Sequence, residues 1–182
     1  YRDRLAQFRA AVPAAHADAL TEVAAKALFK LMAFKDEYEV ARLHRDPAFA
    51  EMLAQEFEPG FKINYHMAPP IVSLRKDARG RPVKRAFGAW FTPVLTALSK
   101  LRPLRGTALD VFSYTQERRE EVALIRWYEA LLAELPAKTG ESTVKTVQEL
   151  LALPMDIRGY GPVKRAAIEQ ARAEEARLRK LL

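Results

Sequence analysis

The stretch Ile157-Arg158-Gly159-Tyr160-Gly161-Pro162-Val163-Lys164 sets two glycines around an aromatic residue, then a proline and the cations Lys164 and Arg165. Glycine-rich turns that feed a helix N-terminus present backbone N–H groups to phosphate, so anion chemistry is the first possibility here. A second candidate is Lys35-Asp36-Glu37-Tyr38-Glu39, three carboxylates in four residues, a donor type that suits a hard cation. Neighbouring helical positions diverge by about 100°, however, so the expected reading is a solvated face and not one ion's ligand set. His16, His44 and His66 are far apart and lack metal-ligand spacing. Glu37, Ala41 and His44 share a helix face, which brings a carboxylate near an imidazole. Such a pair can do acid–base work, although a surface or interface hydrogen bond is its commoner use. No nucleophile elbow, Walker loop or zinc signature is present, and neither Ser73 nor Ser99 sits in a recognisable catalytic context.

Arg75, Lys76, Arg79, Arg81, Lys84 and Arg85 fall within eleven residues, opposed only by Asp77. At a hairpin tip they form a positive knob, and Arg79, Arg81, Lys84 and Arg85 are candidates for docking an acidic partner or meeting phosphates. The plain alternative is a solvated turn that blocks edge pairing. The glycine turn has two readings as well. Ile157-x-Gly159-Tyr160-Gly161 carries the apolar–x–Gly–apolar–Gly core of a helix-hairpin-helix DNA-binding turn, although Arg165 stands where that module has a small residue. Structurally, Gly159 and Gly161 supply backbone angles closed to other residues, and Pro162 takes the first position of a helix.

Positioning these residues requires mostly helices. A short one runs from Arg2 to Val12 and stops at Pro13. In the next, Ala24, Leu28, Leu31, Phe34, Tyr38 and Ala41 recur at spacings of three or four, the pattern of one long helix, with Lys35 and Glu39 able to pair on its solvent side. Asp46-Pro47 launches a helix to about Phe57. Phe61, Ile63, Tyr65 and Met67 then alternate with Lys62, Asn64 and His66, strand patterning closed by Pro69-Pro70. Ile71–Arg75 is a second extended piece before a turn at Asp77–Pro82, and Val83–Phe87 returns as a partner strand. The helical pattern resumes from Trp90 to Leu101, and Leu104–Ser113 is a loop. Thr115 caps a helix with Val122, Ile125, Tyr128, Leu132 and Leu135 on one side; further helices span Thr143–Leu153 and Pro162 to the end. The expectation is a mainly α domain over 1–182 with a small β-hairpin inserted at about 61–88.

The chain of 182 residues carries a net charge of +7, which permits an anionic partner without choosing one. It contains no cysteine, so it offers no disulfide and no thiolate for zinc or an iron–sulfur cluster. No apolar run reaches the ~20 residues of a membrane helix and no secretory signal opens the chain, so a cytoplasmic location is expected. A first residue of Tyr1 fits a segment taken from a longer polypeptide.

Five segments, Ala27–His44 (ALFKLMAFKDEYEVARLH), Lys62–Pro70 (KINYHMAPP), Lys84–Trp90 (KRAFGAW), Leu104–Ile125 (LRGTALDVFSYTQERREEVALI) and Ile157–Lys164 (IRGYGPVK), together resemble the C-terminal domain of the fused indolepyruvate ferredoxin oxidoreductases. They cover nearly the whole chain in order. The resemblance implies a parent enzyme that oxidatively decarboxylates aryl-pyruvates with thiamine pyrophosphate, magnesium, [4Fe-4S] clusters and coenzyme A, and passes electrons to ferredoxin. Those groups belong to upstream domains. What it implies for this segment is an accessory scaffold with no catalytic residue, partnered by the upstream domains; the basic hairpin is then a candidate for docking an acidic ferredoxin or an acidic face of an upstream domain, beside the plain solvated turn. The competing reading is a basic helical nucleic-acid-binding module resting on the glycine turn.

Overall fold

Local chemistry sets most of the helix boundaries. The computed structural model describes residues 1–68 and 83–182. In chain order the helices are α1 (Arg2–Ala11), α2 (Ala14–Met32), α3 (Glu37–His44), α4 (Pro47–Glu56), α5 (Thr92–Lys100), α6 (Gln116–Glu134), α7 (Val144–Ala152) and α8 (Pro162–Arg179). Strands β1 (Tyr65–Met67) and β2 (Arg85–Phe87) lie between α4 and α5. Asp46 caps α4 by accepting from Ala48 N–H at 3.1 Å, with Pro47 in the first turn. Thr115 Oγ1 accepts from Arg118 N–H at 3.3 Å at the start of α6. The described residues are mainly helical with one small antiparallel strand pair, as the sequence pattern requires.

The chain divides into two compact units: unit 1, Tyr1–Phe34 with Glu120–Leu182, and unit 2, Lys35–Arg119. In unit 1, α2 packs against α1 and α7, and α8 against α7. Its core joins Leu20, Ala24, Leu28 and Leu31 of α2 to Val147, Leu150 and Leu151 of α7 and Leu178 of α8. Each fully buried leucine contributes about 1.5–3 kcal/mol of transfer free energy. Two amphipathic side chains from α6 are satisfied inside it. Tyr128 Oη donates to the Leu151 carbonyl at 2.8 Å, and Trp127 Nε1 donates to Glu175 at 2.9 Å with the Arg172 guanidinium 4.4 Å over its ring.

In unit 2, α3 packs on α5, and Ala41, Tyr65 and Leu95 form a small core supported by Ile63, Met67, Phe87, Phe91 and Leu98. The strands register Tyr65 with Phe87, His66 with Ala86 and Met67 with Arg85. Phe87 stacks on Phe91 at 4.5 Å, which ties the strand pair to the entry of α5.

Two expectations are corrected. The long helix through Ala41 does not exist: α2 ends at Met32, and α3 begins afresh with Asp36 as its N-cap. Lys35 therefore lies outside a helix and has no i,i+4 geometry with Glu39, which pairs instead with Arg42 at 2.9 Å. On α6 the buried stripe is wider than Val122, Ile125, Tyr128, Leu132 and Leu135. Tyr128, Leu132 and Leu135 are buried as expected and Leu124, Trp127 and Leu131 are buried with them, whereas Val122 and Ile125 are only partly covered. Pieces expected at Ile71–Arg75 and Asp77–Pro82 lie outside the described residues. Among those described, no helix is long and apolar enough to cross a membrane.

Candidate functional site

The densest polar chemistry is in unit 2, where four segments meet. Asp36 is a cap residue, so its carboxylate turns back over the first turn of α3 and accepts from Tyr38 N–H at 3.2 Å. The same carboxylate accepts from Arg105 at 2.5 Å and from Arg118 at 3.4 Å. Arg118, on the first turn of α6 and only 7% exposed, also donates to Glu37 at 2.7 Å. The expected solvated row of carboxylates is thus corrected. A non-helical Asp36 escapes the 100° divergence, and one buried guanidinium bridges it to Glu37. Glu39 does stay near the surface, where Arg42 hydrogen-bonds it and lowers its pKa.

Asp110 is 1% exposed and accepts from Gly106 N–H at 2.9 Å, Phe112 N–H at 3.1 Å and Tyr38 Oη at 3.1 Å. Burial opposes its charge. The donors from Gly106, Tyr38 and Phe112, with the nearby Arg118 charge, outweigh it and hold the carboxyl below its ordinary pKa. Burial and the hydrogen bond to Asp110 push the Tyr38 phenol up to about 12. Gly106, at φ 76°, makes the turn that aims its N–H at the carboxylate. Each carboxylate is met by donors within the network, which suits it to fixing α3, the 106–115 loop and the start of α6 in one geometry.

His16 Nε2 lies 3.4 Å from Glu141, whereas the expected Glu37–His44 pair does not form. Glu37 is engaged by Arg118, and His44 packs edge-on to Phe49 and Tyr65 at 5.6 and 5.4 Å, with burial lowering its pKa. Among the described residues no three His, Asp or Glu side chains are placed to hold one metal ion. With no cysteine in the chain, its residues do not fit a thiolate-ligated cluster.

The glycine turn lies in unit 1. Gly159 has φ 90° and Gly161 φ 55°, and α8 begins at Pro162. Lys164 donates to Glu121 at 2.5 Å and Arg165 to Glu120 at 3.0 Å, so the two cations that a phosphate clamp would use are held in internal ion pairs. Tyr160, between the glycines, is 79% exposed. A methyl group on Gly159 would sit 2.7 Å from Val163 Cγ1 and 3.1 Å from its Cβ. Gly159→Ala combines that clash with an unfavourable positive φ, and we expect it to cost unit 1 about 1–3 kcal/mol in urea denaturation. An unchanged midpoint, combined with loss of duplex DNA binding measured by fluorescence anisotropy, would instead favour a phosphate-contacting turn.

Of the basic knob, Arg79 and Arg81 lie outside the described residues, as do Arg75, Lys76 and Asp77. Lys84 and Arg85 are exposed, Arg85 opening β2. Sequence reasoning missed Arg105, Asp110 and Arg118. Asp110 does carry a signal, a lone carboxylate between the apolar Leu109 and Val111 in a stretch that ends at a helix cap.

A family model matches residues 1–177. The chain belongs to DUF6537, a family of unknown function. No curated protein and no solved structure matches it. For this DUF6537 chain the match covers both units, so the Asp36–Arg118 network and the glycine turn fall within the shared family region.

Proposed function

We propose that this DUF6537 chain is an accessory, non-catalytic domain of a larger indolepyruvate ferredoxin oxidoreductase that oxidatively decarboxylates aryl-pyruvates in the cytoplasm. The observation that carries the reading is the ordered resemblance of five segments, from Ala27–His44 to Ile157–Lys164, to the C-terminal domain of those enzymes. Two features support it. The chain has no cysteine, and the buried charged groups of unit 2 engage one another. In this reading thiamine pyrophosphate, magnesium, the [4Fe-4S] clusters and coenzyme A act in upstream domains. This chain scaffolds them, and Arg79, Arg81, Lys84 and Arg85 face an acidic ferredoxin or an acidic upstream surface.

The test is the complete polypeptide that contains this segment. Purified anaerobically, it is expected to reduce ferredoxin in the presence of indolepyruvate and coenzyme A. A complete polypeptide that purifies without iron and gives no indolepyruvate-dependent reduction after reconstitution contradicts the proposal.

A further inference from the structure

We propose that the cavity at the foot of the strand pair in unit 2 binds a small apolar carboxylic acid as its carboxylate. The cavity, of about 310 Å³, lies between segment 61–65 on one side and Gly88, Ala89 and Thr92 on the other. That volume stands at the small end of the range for small-molecule sites and suits one ring or a short chain. The site does not depend on the scaffold role proposed above, and its failure would leave that role standing.

Phe61, Ile63 and Ala89 supply apolar wall. Tyr65, another lining residue, is only 5% exposed, and its ring is held edge-on to His44 at 5.4 Å and beside Phe91 at 6.4 Å. Its hydroxyl lies 3.3 Å from Oγ1 of Thr92, which also lines the cavity. One hydrogen is shared between the two oxygens, so the other O–H remains to donate to a ligand oxygen. A fixed hydroxyl pair in a largely apolar lining is how small-molecule sites orient what they bind.

Gly88 keeps the space open. The register that pairs Tyr65 with Phe87 carries on to set Gly88 across from Asn64. Its φ of −74° and ψ of −168° are extended angles, so no turn demands glycine there. A methyl group at Gly88 would meet Trp90 Cδ1 at 3.6 Å and the Asn64 amide oxygen at 3.9 Å, both ordinary contacts. A longer side chain can therefore be built out from this wall without backbone strain. Charge then selects the ligand. Among the described lining residues Lys62 carries the one charge, and no Asp or Glu is present. Glu58, whose carbonyl accepts from Phe61 N–H, does not line the cavity. One ammonium at the rim, one hydroxyl hydrogen inside and an apolar wall match a molecule with one carboxylate and an apolar body.

The probe is phenylacetate, titrated into the isotope-labelled 182-residue chain and followed by backbone amide shifts in nuclear magnetic resonance. Saturable shifts are expected at the Lys62, Asn64 and Gly88 amides, with half-saturation at about 1 mM or below, an ordinary efficiency for so small a ligand. Phenylacetamide, which keeps the ring and loses the charge, should bind about five-fold more weakly. Lys62→Met should erase that preference while retaining the apolar stem. Gly88→Leu, which fills the space, should weaken phenylacetate by about ten-fold or more with far-ultraviolet dichroism unchanged. No saturable shift, shifts centred elsewhere, equal affinity for acid and amide, or unchanged binding by Gly88→Leu overturns the proposal. Should Gly88→Leu fail to fold, the acid–amide comparison and Lys62→Met decide it.

Discussion

Arg118→Met is expected to destabilise unit 2 by about 3 kcal/mol, the lower part of the range for breaking a buried ion pair from one side. The substitution keeps much of the apolar stem but leaves Asp36 and Glu37, both held by one guanidinium, without it. Asp36 keeps Arg105, which is why the loss does not reach the upper part of that range. Urea denaturation followed by hydrogen exchange on α3 amides reads the effect. Adding Glu37→Gln to Arg118→Met should recover part of it, because a neutral amide no longer needs the cation. A loss below about 1 kcal/mol would mean that the pair is solvated and does not organise the unit.

Asp110→Ala is the second large effect, expected at about 3–4 kcal/mol. It leaves the Gly106 and Phe112 N–H groups and the Tyr38 hydroxyl without their acceptor, each at roughly 1–3 kcal/mol less whatever water recovers. Asp110→Asn retains one oxygen and should cost about half as much. The pH dependence carries the sign of each shift. The folded pKa of Asp110 is depressed, so its contribution is present above the unfolded value of about 4 and disappears as pH falls through the folded pKa. Tyr38 is raised to about 12, so its contribution is complete below about 10 and is lost as pH climbs toward 12. Urea midpoints across pH should fall at both ends, and Tyr38→Phe should lessen the alkaline fall, the remainder coming from Tyr128, whose phenol burial also pushes up. A flat alkaline limb in the unmodified protein would show that Tyr38 is not buried against Asp110.

Element ends were legible wherever one residue's chemistry decides them: Asp46-Pro47 for α4, Thr115 for α6 and Pro162 for α8. The break between α2 and α3 was harder to read. The apolar spacing from Ala24 to Ala41 continues across it, whereas the opposing signal is short. Asp36 followed three residues later by Glu39 has the spacing of a capping box, and Asp36 does cap α3. Alternation matched the burial pattern from Ile63 to Met67 but not at the exposed Phe61, and among the described residues only Tyr65–Met67 is paired, with the three residues of β2. The polar network was least legible. Arg118 and Asp36 are 82 positions apart, and no local pattern tells which arginine a folded chain will bury. Tyr38, Asp110 and Phe112 became a set only once α3 and the 106–115 loop were in place.

The proposed accessory, non-catalytic role is tested most directly by titrating the 182-residue chain with thiamine pyrophosphate and magnesium in an isothermal calorimeter. The account predicts no binding heat, because the proposed function assigns the coenzyme to other domains. Saturable binding at micromolar concentration would contradict it.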